Sequence, residues 1–162
     1  MSTKQYLVTG GTGFIGSALV KRLVKDGHRV RVLDNNSRGT TRRIDDVIDD
    51  VEFVEADIRD TETVIAAAKG VDCICHLAAV NGTEFFYSKP ELVLDVGIRG
   101  TLAVIDACRA NDIGDLVYAS SSEVYQTPPR VPTDENVPLS IPDVRNPRYS
   151  YGGGKIASEL IA

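Results

Sequence analysis

Apolar and polar positions alternate between two periods along this chain, and the alternation predicts its elements. Gln5–Thr9 is a short, mostly apolar run that ends in glycines, the pattern of a buried strand. Gly13–Asp26 has helical spacing, with Phe14, Ala18, Leu19, Leu23 and Val24 expected on or near one face and Gly27 as the stop signal. Arg29–Leu33 reads as a second strand and Val51–Glu55 as a third. Thr61–Lys69 is predicted helical, capped by Asp60 or Thr61 and closed by Gly70. Val71–Leu77 is nearly all apolar, a strand buried on both faces. A long helix over Glu91–Asn111, a fifth strand at Leu116–Ala119 and a helix from Ser150 complete the pattern. Strands that alternate with helices imply right-handed crossovers and a parallel sheet. The expectation is one α/β domain over 1–162, of the doubly wound Rossmann type.

Six of the seven prolines fall within Val124–Arg148, which is expected to be irregular. Long structureless connections inside compact domains tend to carry function. This one is expected to lie over a site.

Composition adds exclusions. A net charge of −5 argues against a nucleic-acid or anionic-membrane partner. The basic cluster Arg38, Arg42 and Arg43, followed by Asp45, Asp46, Asp49 and Asp50, is either a solvated loop and helix face or places one arginine near phosphates. No stretch is as long and apolar as a membrane span, and Met1–Gln5 is too short and polar for a signal peptide. Cys73, Cys75 and Cys108 lack metal-ligand spacing, so no metal site is expected. Free thiols fit a reducing cytoplasm. Cys73 and Cys75 share strand parity and so one face.

The chemistry begins at Thr9–Gly16. Gly11-x-Gly13-x-x-Gly16 overlaps Gly10-x-x-Gly13-x-x-Gly16, between a predicted strand and a predicted helix. Small residues there permit a tight turn, close approach of a pyrophosphate to main-chain amides, and close helix–strand packing. The helix N-terminus attracts the anion. Asp34 ends the second strand, 18 residues after Gly16. A carboxylate there accepts from both ribose hydroxyls and repels a 2′-phosphate, which favours NAD over NADP. Asp57-Ile58 follows the third strand. It either receives the adenine, Asp57 on the amino group and Ile58 on the ring, or is a plain turn and helix cap.

Tyr151 and Lys155 stand four apart at the start of a helix and share a face. An ammonium favours phenolate, and a phenolate near neutrality is a competent base for an alcohol proton. With the glycine cradle, Asp34, Asp57-Ile58, His76-Leu77-Ala78-Ala79, Gly100-Thr101, Ser120–Tyr125 and Tyr151–Lys155 in this order, the sequence resembles the extended short-chain dehydrogenases/reductases. More narrowly, it resembles the NAD-dependent sugar-nucleotide epimerase/dehydratase family.

The resemblance implies an NAD-dependent enzyme that oxidises and reduces a sugar carbon of a nucleotide sugar. Tyr151 would be the base, and Lys155 would bind the nicotinamide ribose and lower the tyrosine pKa. Ser121 would hydrogen-bond the reacting oxygen. Gly10, Gly11, Gly13, Phe14, Ile15 and Gly16, with Asp34, Asp57 and Ile58, would hold NAD, and Ala78 and Ala79 would pass its nicotinamide half. His76 is expected to be structural. Glu123 matches the glutamate of 4,6-dehydratases and decarboxylases, where a carboxylate removes a ring proton; it could equally be a local cap or ion-pair partner. The same resemblance implies a homodimer with a nucleotide-sugar substrate.

Two positions depart from the family pattern: Gly97 replaces an asparagine, and Gln126 replaces a glycine. The aromatic segment Asn81–Ser88 is also unusual, and would cover the substrate or line an interface. Family members run to about twice this length. The chain therefore reads as the N-terminal part of a longer enzyme, lacking the C-terminal region that grips the sugar nucleotide, with an edge strand left open to association. The competing reading is a non-catalytic NAD-binding module or an inactive fragment. An intact Tyr151, Lys155 and Ser121 favour the enzyme.

Overall fold

The structure, a computed structural model, describes residues 2–162. Five strands, β1 (Gln5–Thr9), β2 (Arg29–Asp34), β3 (Val51–Glu55), β4 (Cys73–His76) and β5 (Asp115–Tyr118), pair in parallel in the order β3-β2-β1-β4-β5. The five helices are α1 (Phe14–Lys25), α2 (Thr61–Ala67), α3 (Thr83–Ser88), α4 (Pro90–Ala110) and α5 (Ser150–Ile161). This is the expected doubly wound α/β sheet. Strand order reverses between β1 and β4, so the crevice at their carboxyl ends is the natural ligand site.

The period of two along each strand divides the core. Val8, Val32 and Cys75 face α1 together with Val20 and Cys73, while Leu7, Leu33 and Ile74 face α2 and α4 with Val64 and Val104. Cys73 and Cys75 lie on one face as expected. Burial pushes the Cys75 thiol up to about 12, which makes it unreactive near neutrality. β4 is buried throughout but spans only Cys73–His76, shorter than the apolar run predicts. Asp60 is the α2 cap, accepting from the Thr63 amide at 3.2 Å.

The inward face of α1 needs correction. Phe14 is 85% exposed and Ala18 is also exposed; the buried residues are Gly16, Ser17 and Val20, with Leu19, Leu23 and Val24 packed beside them. Gly16 has to face the strand, because the helix approaches the β1 turn there. That rotation carries Phe14, two residues earlier, outward.

Besides the single 3-10 turns Ser122–Val124 and Pro147–Tyr149, two elements lie outside the predicted pattern. Thr41–Asp50 forms successive 3-10 turns, with Ile44 fully buried and Val47 and Ile48 packed near it. The other is α3, in the unusual aromatic segment. Residues 125–146 carry no strand or helix, in keeping with their prolines.

The glycines separate into tight and open positions. A Cβ at Gly16 would stand 2.1 Å from the Gly10 carbonyl oxygen, whereas one at Gly97, inside α4, would meet nothing within 4 Å. Gly16→Ala is therefore expected to cost about 3 kcal/mol through backbone displacement. Gly97→Ala is expected to add about 0.5–1 kcal/mol through helix propensity alone. Denaturant midpoints of the two variants check the contrast.

Candidate functional site

A cleft of about 230 Å³ opens at the carboxyl ends of the strands. Gly10, Gly13, Ala78 and Ala79 line its β1–β4 side. Asp34, Asp57 and Ile58 line its β2–β3 side, so seven of the expected cofactor residues converge. The β1 turn fits an anion. Gly10 has φ +73, and a Cβ there would press to 2.8 Å from the Ala78 nitrogen. No side chain caps α1, which leaves its first-turn amides to an external acceptor. Phe14 and Ile15 (69% exposed) can offer those amides, but their side chains point to solvent. Gly11 and Gly16 act by packing: a Cβ at Gly11 would meet Val32 at 2.6 Å.

Asp34 is held from both sides. Its Oδ2 accepts from the Thr12 amide at 3.0 Å and its Oδ1 from the Asn36 amide at 2.9 Å. Each oxygen keeps a lone pair for a ribose hydroxyl. Asp57 is gripped by Arg59, whose Nη2 lies 2.7 Å from Oδ2 and whose Nε lies 2.9 Å from Oδ1. The Arg59 side chain holds the Asp57 carboxyl down at about 2. Arg59 also reaches Asp95 of α4 at 2.8 Å. Asp57 is thus an ionised carboxylate at the cleft that also makes the turn, its Oδ1 accepting from the Arg59 amide at 2.9 Å, and the cap of α2 is Asp60.

Of the three arginines in the basic cluster, Arg38 reaches the cleft, and its guanidinium lies 4.6 Å from the Phe85 ring centroid. Arg43 instead ties the β1 turn, donating to the Thr12 carbonyl at 3.1 Å. Asn35, a residue of the loop, lines the cleft as well. Arg38 is the arginine of that cluster that the cleft admits, whereas Arg59 and Asn35 carry no individual signal in the sequence. A flexible polar residue in a loop gives none until the loop is folded.

The second half of the site stands on α5. Tyr151 is half-buried. Burial raises its pKa and the Glu123 charge adds to the rise, while the neighbouring Ser121 hydroxyl lowers it in part. Lys155 is 6% exposed, donates to the Ala119 carbonyl, and lies 5.7 Å from the Tyr151 ring centroid. Burial pushes its ammonium down to about 8. Gly152 lets α5 close on the strand end: a Cβ there would lie 2.9 Å from the Glu123 carbonyl oxygen. Tyr151, Lys155, Ser121 and Glu123 are therefore brought together. Val80 joins the two halves, lining the cleft while belonging to the apolar cluster on which Tyr151 packs.

Glu123 pairs with Arg148 at 3.0 Å, both side chains about one-third exposed, and its charge raises the Tyr151 pKa. It is at the site, and it is an ion-pair partner. Gln126 sits at φ +50, the left-handed region that favours glycine, which accounts for the glycine usual there. The Gly97 carbonyl accepts from Thr101 at 2.8 Å.

His76 is structural, as expected. It is 2% exposed, its Nδ1 lies 2.7 Å from the Thr9 hydroxyl, and burial pushes its pKa down to about 3, so the ring is neutral. Among the described residues no three of His, Cys, Asp or Glu converge as a metal site, and no helix is long and apolar enough to cross a membrane.

Comparison with known proteins agrees with this geometry. The sequence model of the NAD dependent epimerase/dehydratase family matches residues 6–162. The UDP-glucose 4-epimerase of Mycolicibacterium smegmatis is 39% identical over 158 residues, covering 95% of this chain and 49% of that protein. Among solved structures, the UDP-glucose 4-epimerase of Brucella ovis in complex with NAD superposes with a TM-score of 0.86 at 29% identity, covering 98% of this chain and 46% of that one. The dTDP-glucose 4,6-dehydratase of Streptomyces venezuelae with NAD bound gives 0.87 at 28% identity, covering 97% and 50%. The chain spans about half the length of the curated relatives it matches.

Lys155 generates a test by its burial. Its pKa is about 8 folded against 10.5 in an exposed chain. Below pH 8 both states are charged and the folded state bears the full desolvation cost; above 10.5 both are neutral and the cost is gone. Lys155→Met is expected to stabilise the chain at pH 7 by roughly 1–3 kcal/mol, after loss of one hydrogen bond. The gain shrinks as pH rises through that window. Urea unfolding at pH 7 and at high pH measures it.

Proposed function

The chain belongs to the NAD-dependent epimerase/dehydratase family, and on that premise we infer that it is the NAD-binding, proton-handling part of a nucleotide-sugar 4-epimerase. The observation that carries this reading is the convergence of Tyr151, Lys155 and Ser121 beside a cleft that carries Asp34 and the glycine turn. The net reaction follows the relatives, of which that from Mycolicibacterium smegmatis is named a UDP-glucose 4-epimerase.

NAD, when bound, supplies a hydride acceptor and donor for a sugar carbon. The protein's residues do the rest. Asp34 accepts from the adenosine ribose hydroxyls, with Asp57 on the adenine amino group and Ile58 against its ring. Amides at the start of α1, those of Phe14 and Ile15 included, hold the diphosphate over Gly10–Gly16. Ala78 and Ala79, with no bulk beyond Cβ, let the nicotinamide half pass. Tyr151 takes the proton of the sugar hydroxyl and returns it. Ser121 orients that hydroxyl. The Lys155 ammonium favours the phenolate and binds the nicotinamide ribose; its charge is lost as pH rises through about 8.

A second reading has Glu123 in the chemistry. It lies close enough to raise the Tyr151 pKa, and it matches the glutamate of dehydratases. Its ion pair with Arg148 favours the epimerase reading, because one carboxylate oxygen is already engaged by the Arg148 guanidinium at 3.0 Å. The exposed apolar side chains of Leu102 (45%) on α4 and Leu160 (86%) on α5 support a homodimer. The buried free thiols support a reducing cytoplasmic setting.

The test is product analysis by NMR and mass spectrometry, after the protein is incubated with NAD and a panel of UDP- and dTDP-hexoses. Interconversion of 4-epimers is expected. Tyr151→Phe is expected to lower turnover by roughly 10²-fold or more, and Glu123→Gln to leave the products the same. A dehydrated sugar that disappears with Glu123→Gln would establish the second reading instead. No reaction with any member of the panel would return the chain to a pure NAD-binding module.

A further inference from the structure

Nothing in the proposed chemistry employs α3, yet this short helix carries two adjacent aromatic rings that face two parts of the site. Phe85 lies beneath the Arg38 guanidinium at the cofactor cleft. Phe86 is 3% exposed and its ring stacks on that of Tyr151, with centroids 5.2 Å apart and planes 15° from parallel. Arg148 lies over the Phe86 ring at 5.4 Å and pairs with Glu123. The Glu123 amide donates to the Ser121 hydroxyl oxygen at 3.2 Å, and the Ser121 hydroxyl stands near enough to the Tyr151 phenol to lower its pKa. Tyr151, Phe86, Arg148, Glu123 and Ser121 therefore form a chain of successive contacts that begins on the phenol ring.

A phenol turns about its Cβ–Cγ bond unless something flat lies against it. Lys155 is 5.7 Å from the Tyr151 centroid and fixes charge but not the ring plane. Phe86 is the flat surface that stacks on the phenol. We propose that Phe86 is a positioning residue for Tyr151, holding the phenol plane so that its hydroxyl stays on the Ser121 side, and keeping water from the ring. This rests on the reading of Tyr151 as the proton acceptor. The segment Asn81–Ser88 then acts on the base, and Phe85 seats the same helix against Arg38.

The readout is the acid strength of Tyr151. Its phenolate absorbance is isolated by subtracting the titration of Tyr151→Phe in the same background, with NAD present. The groups around that phenol are Lys155 on α5, Tyr118 on β5, and Ser121 and Glu123 beyond it, with Arg148 over the Phe86 ring, and all are unchanged in the test. Phe86→Leu keeps an apolar side chain but removes the flat face. Water then reaches the ring, and the Tyr151 midpoint is expected to fall by about half a unit, roughly threefold in acid constant. NAD affinity is expected to hold within about twofold, which shows that the cleft is folded. Should Phe86→Leu fail to bind NAD, Phe86→Met, with a long apolar side chain, takes its place. A Tyr151 midpoint identical to wild type in a variant that binds NAD overturns the proposal. A shifted midpoint combined with turnover indifferent to Tyr151→Phe would retain the stack and remove the general-base reading on which its function rests.

Discussion

Two strand ends meet backbone to backbone at the switch point of the sheet, and the site depends on that approach. Gly10 leaves β1 with φ +73, and any Cβ there would press against the main chain of Ala78 beyond β4. The contact keeps the two strands level, opens the crevice above them and turns the chain into α1. Because Gly16 and Gly11 repeat the same economy of volume against Gly10 and Val32, the helix start comes down onto the turn. A diphosphate is then offered amides in place of side chains.

Beneath that surface the two halves of the site are joined by a buried polar chain. The Thr9 hydroxyl meets His76 Nδ1, His76 Nε2 lies 3.4 Å from the Thr101 hydroxyl oxygen, and that oxygen lies 3.1 Å from the Ser158 hydroxyl on α5. The Ala78 amide also donates to the Thr9 hydroxyl oxygen at 3.3 Å. Neutral His76 thus sits between β1 and the helices that carry Lys155 and Tyr151. Burial explains why both His76 and Lys155 have lowered pKa values, and the Lys155 charge lowers His76 further. The cost of burying Lys155 is a stability concession, of the kind expected if its geometry is held for the proposed proton chemistry.

The strands and the long helices were legible because each satisfies one period over enough residues. The glycine turn with Asp34 and the Tyr151–Lys155 spacing were legible because their chemistry restricts residue type. What was not legible lies where local pattern is too short or tertiary contact decides. Six residues of α3 cannot display a helical period, so the burial of Phe86 has no local signature. Ile44, Val47 and Ile48 do show i, i+3, i+4 spacing, but the aspartates around them read as a solvated face. Phe14 looked like the first core residue of α1; the demand that Gly16 face the turn overrode it. Arg59 and Arg148 became informative only once folding brought Asp57 with Asp95, and Glu123 with Phe86, into their reach.

Titration calorimetry of NAD and of NADP into the chain tests the central claim most directly. The account predicts one NAD per chain, bound more tightly than NADP by at least about 1–2 kcal/mol, since Asp34 is held ready for ribose hydroxyls and repels a 2′-phosphate. Absence of saturable NAD binding, or NADP binding as tightly as NAD, would contradict it.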